Sequence, residues 1–522
     1  MGRRSTKSSF GNSFALFLTS KWPVALLLFL FAFSIRLLTL NKIGKTWDEG
    51  AYVELGHRYV ELALKHDFAN SYWYLQSDHP PLARYIYGLA STFDSKNVDG
   101  KVIFNNSYTV SRVVSALMGS LAVLFVALIG YKYFSSFVAI SSGLIFALIP
   151  FFVGLSQLGT LESPIMLFFT ASVFFFLEYL SKPTSRNLIV TGVLLGCSVL
   201  VKQSNIIIVP LLFFIAITKN VTAGKKIKRK TLFFDIRSIA FIILISFFTC
   251  FALWPMPFFH LNELLEVQNK MWVLAVKLPP PEVYFGVLRL VPKPYYVVMF
   301  LFTTPLLLLV LGILGGAKVL MRKKFMMVVV LVWFFFPFFQ TFYPFKQHGV
   351  RYIIEIYAPF SLLCGIGLEF FCEALRKVQY IKSISIAFVL VYLFIVLSKV
   401  SPYYLDYFNE IIGGNNYVYR HTLFQMGWWG QGIEEAVKFI SSKEKNVVTV
   451  AVNGPQPATV VPRLWNIKTV YYNRNSDSDY VIVPYFDVVR LGFPEEELKA
   501  KYKEVHSVFV DNAKLVKVYK HI

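Results

Sequence analysis

The sequence predicts an α-helical polytopic membrane protein with a small C-terminal α/β domain, and three observations predict it. Of 522 residues, 56% are hydrophobic and only 16% charged, and the mean hydropathy is +0.55. The apolar residues fall in continuous runs rather than in alternation. A hydrocarbon core of about 30 Å takes roughly 20 apolar residues in a helix, and in lipid only helices and closed barrels satisfy their own backbone. Beyond residue 400 those runs stop, and short β-branched segments separated by turn residues replace them.

The first span is expected over Trp22–Leu40. It follows a basic start, MGRRSTK, and lacks a small-residue cleavage site, so it reads as retained. A polar stretch, 41–111, carries no span. Arg112–Gly130, Phe137–Leu155 and Pro164–Leu180 come next. The apolar block Leu188–Thr218 is interrupted by Lys202-Gln203-Ser204-Asn205 and reads as two short spans. Ser238–Trp254, Tyr295–Ala317, Phe325–Phe342, Tyr352–Phe371 and Ser383–Val400 bring the total to about eleven.

Charge sets the expected orientation. With the N-terminus cytoplasmic, alternation puts Lys132, Lys182 with Arg186, the GKKIKRK run, Arg322-Lys323-Lys324 and Arg376-Lys377 on that same side, as the positive-inside rule requires. One tilted span over Leu188–Thr218 would move GKKIKRK outside. The formal net charge of +22 therefore reads as orientation and attraction to anionic lipid. Nucleic acid is not an expected partner, because the basic residues are scattered among loops. Cys197, Cys250, Cys364 and Cys372 lie in or at the ends of apolar runs and read as small buried hydrophobes, not as disulfides or metal ligands. In 401–522 an amphipathic helix is expected over Glu434–Ser442 and strands over Asn446–Val452 and Tyr480–Pro484. A second helix is expected over Pro494–Lys503, and a hairpin of Val505–Val510 with Lys514–Tyr519 around Asp511-Asn512.

Ionisable motifs gather on the face opposite the N-terminus. Thr46-Trp47-Asp48-Glu49-Gly50 carries adjacent carboxylates, which point apart and so serve different roles. One suits a general base, while an N-cap for the helical pattern Tyr52, Leu55, Tyr59, Leu62 explains Asp48 equally well. Asp78-His79-Pro80-Pro81-Leu82-Ala83-Arg84 reads as a proline-fixed helix start with Asp78 as cap and His79 as brace or ligand. In Leu161-Glu162-Ser163-Pro164, Pro164 suits a first helical position, Ser163 a cap, and Glu162 the membrane boundary. Cations stand at outer span ends: Arg112, Lys202, and Arg351 within Lys346-Gln347-His348-Gly349-Val350-Arg351. Arginine grips phosphate bidentately and lysine acts as a point charge; snorkelling is the plainer alternative. Asn105-Asn106-Ser107 fits a glycosylation sequon. Acids and phosphate-binding cations on one face point to chemistry on a lipid phosphate. No nucleotide loop, zinc spacing or Ser–His–Asp set accompanies them.

In this order the motifs resemble the protein O-mannosyltransferase and lipid A aminoarabinose transferase superfamily, of the GT-C membrane glycosyltransferase fold. The Asp48-Glu49 pair resembles that superfamily's first-loop acidic motif, DHPPLARY its HPPL element, and SRVVSALMGSLAVL its Arg-led second span. LGTLESPIMLFF is similar to its LDxPL element, with Glu162 in place of Asp, and HGVRYIIEIYAPF to a late Arg-Tyr span. YYLDYFNEIIGG followed by WWGQGIEEAVKFI is similar to a segment of prokaryotic members, where Trp428 stands at a usual Asp. The resemblance runs from about Lys45 to Ile440.

It implies an inverting enzyme that moves a mannose-like hexose or related sugar from a polyprenyl or dolichyl phosphate to an acceptor hydroxyl at the extracytoplasmic face of a cell membrane. By resemblance Asp48 is the general base, and Glu49 and Glu162 orient acceptor or sugar. Arg351, Lys202 and Arg112 hold the donor phosphate; His79, Arg84 and His348 belong to substrate-facing loops. The transmembrane part would be 1–400, with a first loop over about 41–111, and 401–522 an extracytoplasmic domain. No cofactor or metal is expected, since enough fixed cations stabilise a departing phosphate. The expected partners are the lipid-linked donor, membrane lipids, and a protein, lipid or glycan acceptor. The rival readings are an oligosaccharide transferase using a lipid-pyrophosphate donor and a polytopic transporter.

Overall fold

The computed structural model describes residues 21–75, 78–98, 101–104, 108–222, 229–277, 279–342, 349–474 and 477–522. Among them six helices are long and apolar enough to cross a membrane: Thr109–Tyr133, Glu162–Ser181, Gln203–Thr222, Phe233–Leu253, Gly349–Ala374 and Ile381–Val400. Shorter apolar helices cover Trp22–Leu37, Ser136–Leu148, Ser185–Val201 and Phe325–Phe339.

Proline divides two of the expected spans. Phe137–Leu155 is not one helix. It stops at Leu148, Ile149 turns extended (φ −63°, ψ 116°), and Pro150 opens a separate helix, Pro150–Leu155. Tyr295–Ala317 likewise splits at Thr304-Pro305 into Tyr295–Thr303 and Leu306–Arg322, bent by 116°. In both places the residue before proline is driven out of the helical region. The break at Lys202 needs no proline. Lys202 is extended (φ −153°, ψ 126°), a 3-10 turn follows over Gln203–Ile207, and the Asn205 amide donates to the Ser198 carbonyl at 3.0 Å and to the Ser198 hydroxyl at 3.1 Å. The side chain thus joins the Lys202 N–H, which bonds the same carbonyl at 3.2 Å, in closing the end of the helix.

Two amphipathic helices outside the spans, Glu49–Leu64 and Leu82–Ser91, cross at Gly56 and Gly88. A Cβ on Gly56 would lie 2.3 Å from the Arg84 carbonyl oxygen, and one on Gly88 2.1 Å from that of Gly56. Only glycine permits this approach, which fixes the two ionisable loops relative to each other. Nine strands occur among the described residues. β1 (Ser95–Val98) and β2 (Lys101–Phe104) form one antiparallel hairpin, β3 (Glu282–Tyr284) and β4 (Val287–Arg289) another. β5 (Val448–Val452), β6 (Ile467–Tyr471), β7 (Tyr480–Pro484), β8 (Tyr502–Val510) and β9 (Ala513–His521) make a mixed sheet in the order β6-β5-β7-β9-β8. β5 pairs parallel with both neighbours, while β9 pairs antiparallel with both of its own.

The expected hairpin is there, and Asp511 and Asn512 both take positive φ (40° and 66°), the conformation a two-residue hairpin turn demands. The amphipathic helix covers Ile433–Lys443 and buries Ala436, Val437 and Ile440. The expected helix over Pro494–Lys503 shrinks to Glu495–Leu498, because Tyr502 and Lys503 enter β8. β6 and the helix Tyr485–Leu491 were not expected from the sequence. One buried apolar cluster runs from Val24 in the first helix to Val518 in the sheet, and the four cysteines are free.

Candidate active site

Asp48 occupies the N-cap position of Glu49–Leu64, yet its side chain makes no capping hydrogen bond. The carboxylate turns away from the helix and accepts from Nη1 of Arg351 at 3.1 Å. Nε of the same guanidinium donates to Oε1 of Glu162. Residues 303 and 189 positions apart in the chain therefore meet on one arginine, which is almost buried while Asp48 keeps 36% of its side-chain exposure. The Trp429 indole lies 4.1 Å from the guanidinium carbon, with Trp428 at 5.8 Å and Tyr352 at 5.9 Å. Aromatic faces desolvate the cation and strengthen its ion pairs.

Ser163 does not cap the helix at Glu162. The cap position falls on Leu161, and the Ser163 hydroxyl accepts from Ser115 at 2.9 Å. Oε2 of Glu162 has no hydrogen-bond partner among the described residues, so this acid keeps an open acceptor in the site.

Lys202 stands at the extended break and is 9% exposed. Its ammonium makes no ion pair among the described residues and rests 4.3 Å from the Tyr352 ring, the ring that Arg351 also approaches. Glu355, one helical turn after Arg351, is buried with Oε2 unpartnered. Lys202 heads a groove of about 740 Å³. Asp78 and His79 share its polar end, and Ile206, Pro210, Trp272 and Phe339 run along its wall. Ile206, Trp272 and Phe339 are each more than half exposed, so the groove opens sideways through an apolar flank.

Asp78 is not a helix cap either: the cap position is Pro81. Asp78 accepts from Nη2 of Arg84 at 2.6 Å, and Arg84 also donates to the carbonyls of His79 (2.8 Å) and Ala51 (3.2 Å). Arg84 thereby ties the His79 loop to the first turn after Asp48. Burial pushes the His79 imidazole down to about 4 against the pull of Asp78, so it is neutral at pH 7, and its Nδ1 has no partner among the described residues.

Glu49 and Arg112 lie elsewhere and engage each other. The Arg112 guanidinium donates to both Glu49 oxygens (2.8 and 2.6 Å), to the Leu40 carbonyl (3.0 Å) and to the Gly44 carbonyl. Glu49 also accepts from Thr46 N–H (2.9 Å), the Thr46 hydroxyl (3.0 Å) and Gly159 N–H (3.0 Å). Both side chains are fully buried, and neither lines the groove. Burial pushes the Glu49 carboxyl up, and Arg112 with the two backbone amides more than offsets it, leaving it below its usual range. His348 lies outside the described residues, as do Lys346, Gln347 and the sequon Asn105-Asn106-Ser107.

Sequence reasoning did not single out Trp429, Asp406 or Glu355. Asp406 accepts from Gly427 N–H at 2.7 Å and from the Gln431 amide at 3.1 Å, which pins the loop that carries both tryptophans. The signal for Glu355 was available: an acid four residues after Arg351 inside an apolar run.

Residues 25–262 match the family model described as dolichyl-phosphate-mannose-protein mannosyltransferase. Dolichyl-phosphate-mannose–protein mannosyltransferase 1 of Saccharomyces cerevisiae is 30% identical over 145 residues, which are 25% of this chain and 18% of that protein's length. Among solved structures, the oligosaccharyltransferase AglB of Archaeoglobus fulgidus aligns with a TM-score of 0.49 and 13% identity, over 95% of this chain and 73% of its own. ArnT from Cupriavidus metallidurans aligns with 0.47 and 13%, over 99% of both chains. The residues that match the family model are less than half of the chain and span the first acidic loop, the Arg-led helix and the Glu162 element.

Proposed function

We propose that the protein is an inverting membrane glycosyltransferase that moves a mannose-like hexose from a polyprenyl or dolichyl phosphate to an acceptor hydroxyl on the extracytoplasmic face. The observation that carries this reading is Lys202, a cation with no ion pair among the described residues, at the polar end of an apolar groove, which shares the Tyr352 ring with the Asp48–Arg351–Glu162 cluster. The groove takes the start of the polyprenyl chain, and Lys202 takes the phosphate. Asp48 removes the proton of the acceptor hydroxyl while that oxygen bonds to the anomeric carbon. The bond from this carbon to the phosphate oxygen breaks, and the lipid phosphate leaves with the electron pair. Charge grows on the phosphate as this happens, so Lys202 and Arg351 stabilise the transition state more than the ground state. The open oxygen of Glu162 accepts a sugar hydroxyl, as does neutral His79 from the loop that Arg84 secures. In this reading Arg112 and Glu49 hold the Asp48 turn in place, and the acceptor class is a protein, lipid or glycan.

The long apolar helices, the bent pair and the four shorter helices supply the eleven crossings of this reading. The N-terminus and basic loops are cytoplasmic, and 401–522 is an extracytoplasmic domain that presents the tryptophan loop to the site. Transfer of radiolabelled sugar from defined polyprenyl-phosphate donors in membranes tests the proposal; transfer from lipid pyrophosphates alone would overturn it. Lys202→Gln is expected to raise the donor KM and lower kcat, together roughly 10- to 100-fold in kcat/KM, the value of one charge-assisted contact. Transfer is expected to persist in excess EDTA, because fixed cations replace a metal at the leaving phosphate. Loss in chelator with recovery on adding Mg²⁺ or Mn²⁺ would reject that part and favour the lipid-pyrophosphate alternative.

A further inference from the structure

We infer that the free edge of β6 is a docking site for an extended polypeptide segment that presents the acceptor hydroxyl, an inference that rests on the glycosyl-transfer reading for its consequence but not for its geometry. β6 is one of the two edge strands of the sheet. The parallel register sets Val448 opposite Ile467 and Val452 opposite Tyr471. Val448 N–H bonds to the Asn466 carbonyl, and Tyr472 N–H to the Val452 carbonyl. The parallel ladder therefore uses the backbone of residues 466, 468, 470 and 472 toward β5, and turns that of Ile467, Thr469 and Tyr471 outward. Ile467 N–H is taken by the Leu464 carbonyl at 3.2 Å. The remaining outward groups, at the Ile467 carbonyl and both sides of Thr469 and Tyr471, find no backbone partner among the described residues.

This edge does not face open solvent alone. Ile467 and Thr469 line a groove of about 480 Å³ whose other wall is strand β2, through Val102, Ile103 and Phe104. A slot with a strand on each side and a row of alternating donors and acceptors along one of them fits a third extended backbone, which is recognised by main-chain hydrogen bonds. Among the described residues Arg463, which also lines the groove, is exposed and makes no ion pair, whereas the other lining charges are paired. Lys45 pairs with Glu54 at 3.1 Å, and Glu434 with Lys438 at 2.6 Å and with the Lys45 N–H at 3.0 Å. Lys45 is three residues from Asp48, which limits their separation to about 11 Å along the chain. A segment held on β6 therefore delivers a hydroxyl near the proposed base.

A fluorescein-labelled neutral peptide of serine, threonine and valine is the probe, and binding is read by anisotropy as well as by transfer. The unaltered protein and Asp48→Asn should bind it equally, since docking does not need turnover. Thr469→Val, which keeps the amide, should bind as the unaltered protein does. Thr469→Pro, which deletes an outward N–H and leaves the β5 ladder whole, should weaken binding about tenfold and raise the peptide KM by the same factor. Hydrogen exchange on the unaltered protein gives a reading without substitutions: the peptide should slow the amides of Thr469 and Tyr471 and leave those of Lys468 and Val470 as they were. Absence of peptide binding, or exchange at Thr469 and Tyr471 unmoved by bound peptide, overturns the inference. Peptide binding without sugar transfer from any lipid-phosphate donor would instead overturn the transferase reading and leave the docking edge standing.

Discussion

Replacing Asp48 by asparagine is expected to lower kcat about 10³-fold, the order of a lost general base, with the donor KM nearly unchanged. The substitution preserves shape and removes a charge. Folding should survive, because the Asp48 side chain caps nothing and is partly exposed. Arg351 would keep Glu162 and its place against Trp429. Initial rates of sugar transfer, with thermal unfolding of the detergent-solubilised protein as control, measure both. A protein that unfolds as before and turns over as before would remove Asp48 from the mechanism. Asp48→Glu is the informative companion. It restores the base but displaces it by one methylene, and a partial recovery of kcat would separate chemistry from the ion pair with Arg351.

How Asp48 could be read from the chain illustrates what the sequence carries. Residue type and local pattern leave two roles open, cap or base, because both need an acid just before an amphipathic helix. The fold removes the cap by giving the carboxylate to a partner 303 residues away. The same holds for Arg112. An arginine at a span end looks available to phosphate until the fold supplies Glu49 and two backbone carbonyls to hold it. Apolar helices were easier to place, since hydrocarbon imposes length and composition directly. The exceptions are Pro150 and Pro305, whose local effect overrode an unbroken apolar run. Arg36 vanished into such a run. It is fully buried, gives two bonds to the Ala32 and Ala147 carbonyls and stacks 4.9 Å from Phe152, contacts that no window of sequence displays. β6 was missed because an edge strand needs no hydrophobic alternation: its buried partners lie on one side only.

Arg112→Met is expected to destabilise the protein by about 3–5 kcal/mol, because it leaves a buried carboxylate without its counter-charge. The effect should appear as a lowered unfolding temperature and loss of folded protein from membranes, before any assay of transfer. Acid should mimic it more gently. The Glu49 carboxyl is held below its ordinary value in the folded protein, so its contribution is complete above the unfolded value of about 4.3 and is lost as pH falls through the lower folded one. Glu49→Gln should therefore unfold more readily at neutral pH and lose part of the acid sensitivity of the unaltered protein. A stability profile that stays parallel to the unaltered one below pH 4 would argue against this assignment. Replacing the pair together, as Glu49→Leu with Arg112→Met, should recover only part of the loss. An apolar pair avoids the desolvation that a lone ion suffers, but the Thr46 and Gly159 amides and the Leu40 and Gly44 carbonyls would then have no partner. Each such buried group costs about 1–3 kcal/mol, and Thr46 and Gly44 flank the turn that aims Asp48. The double variant should consequently fold better than Arg112→Met and still transfer sugar slowly, which separates the pair's electrostatic part from its work as a backbone clamp.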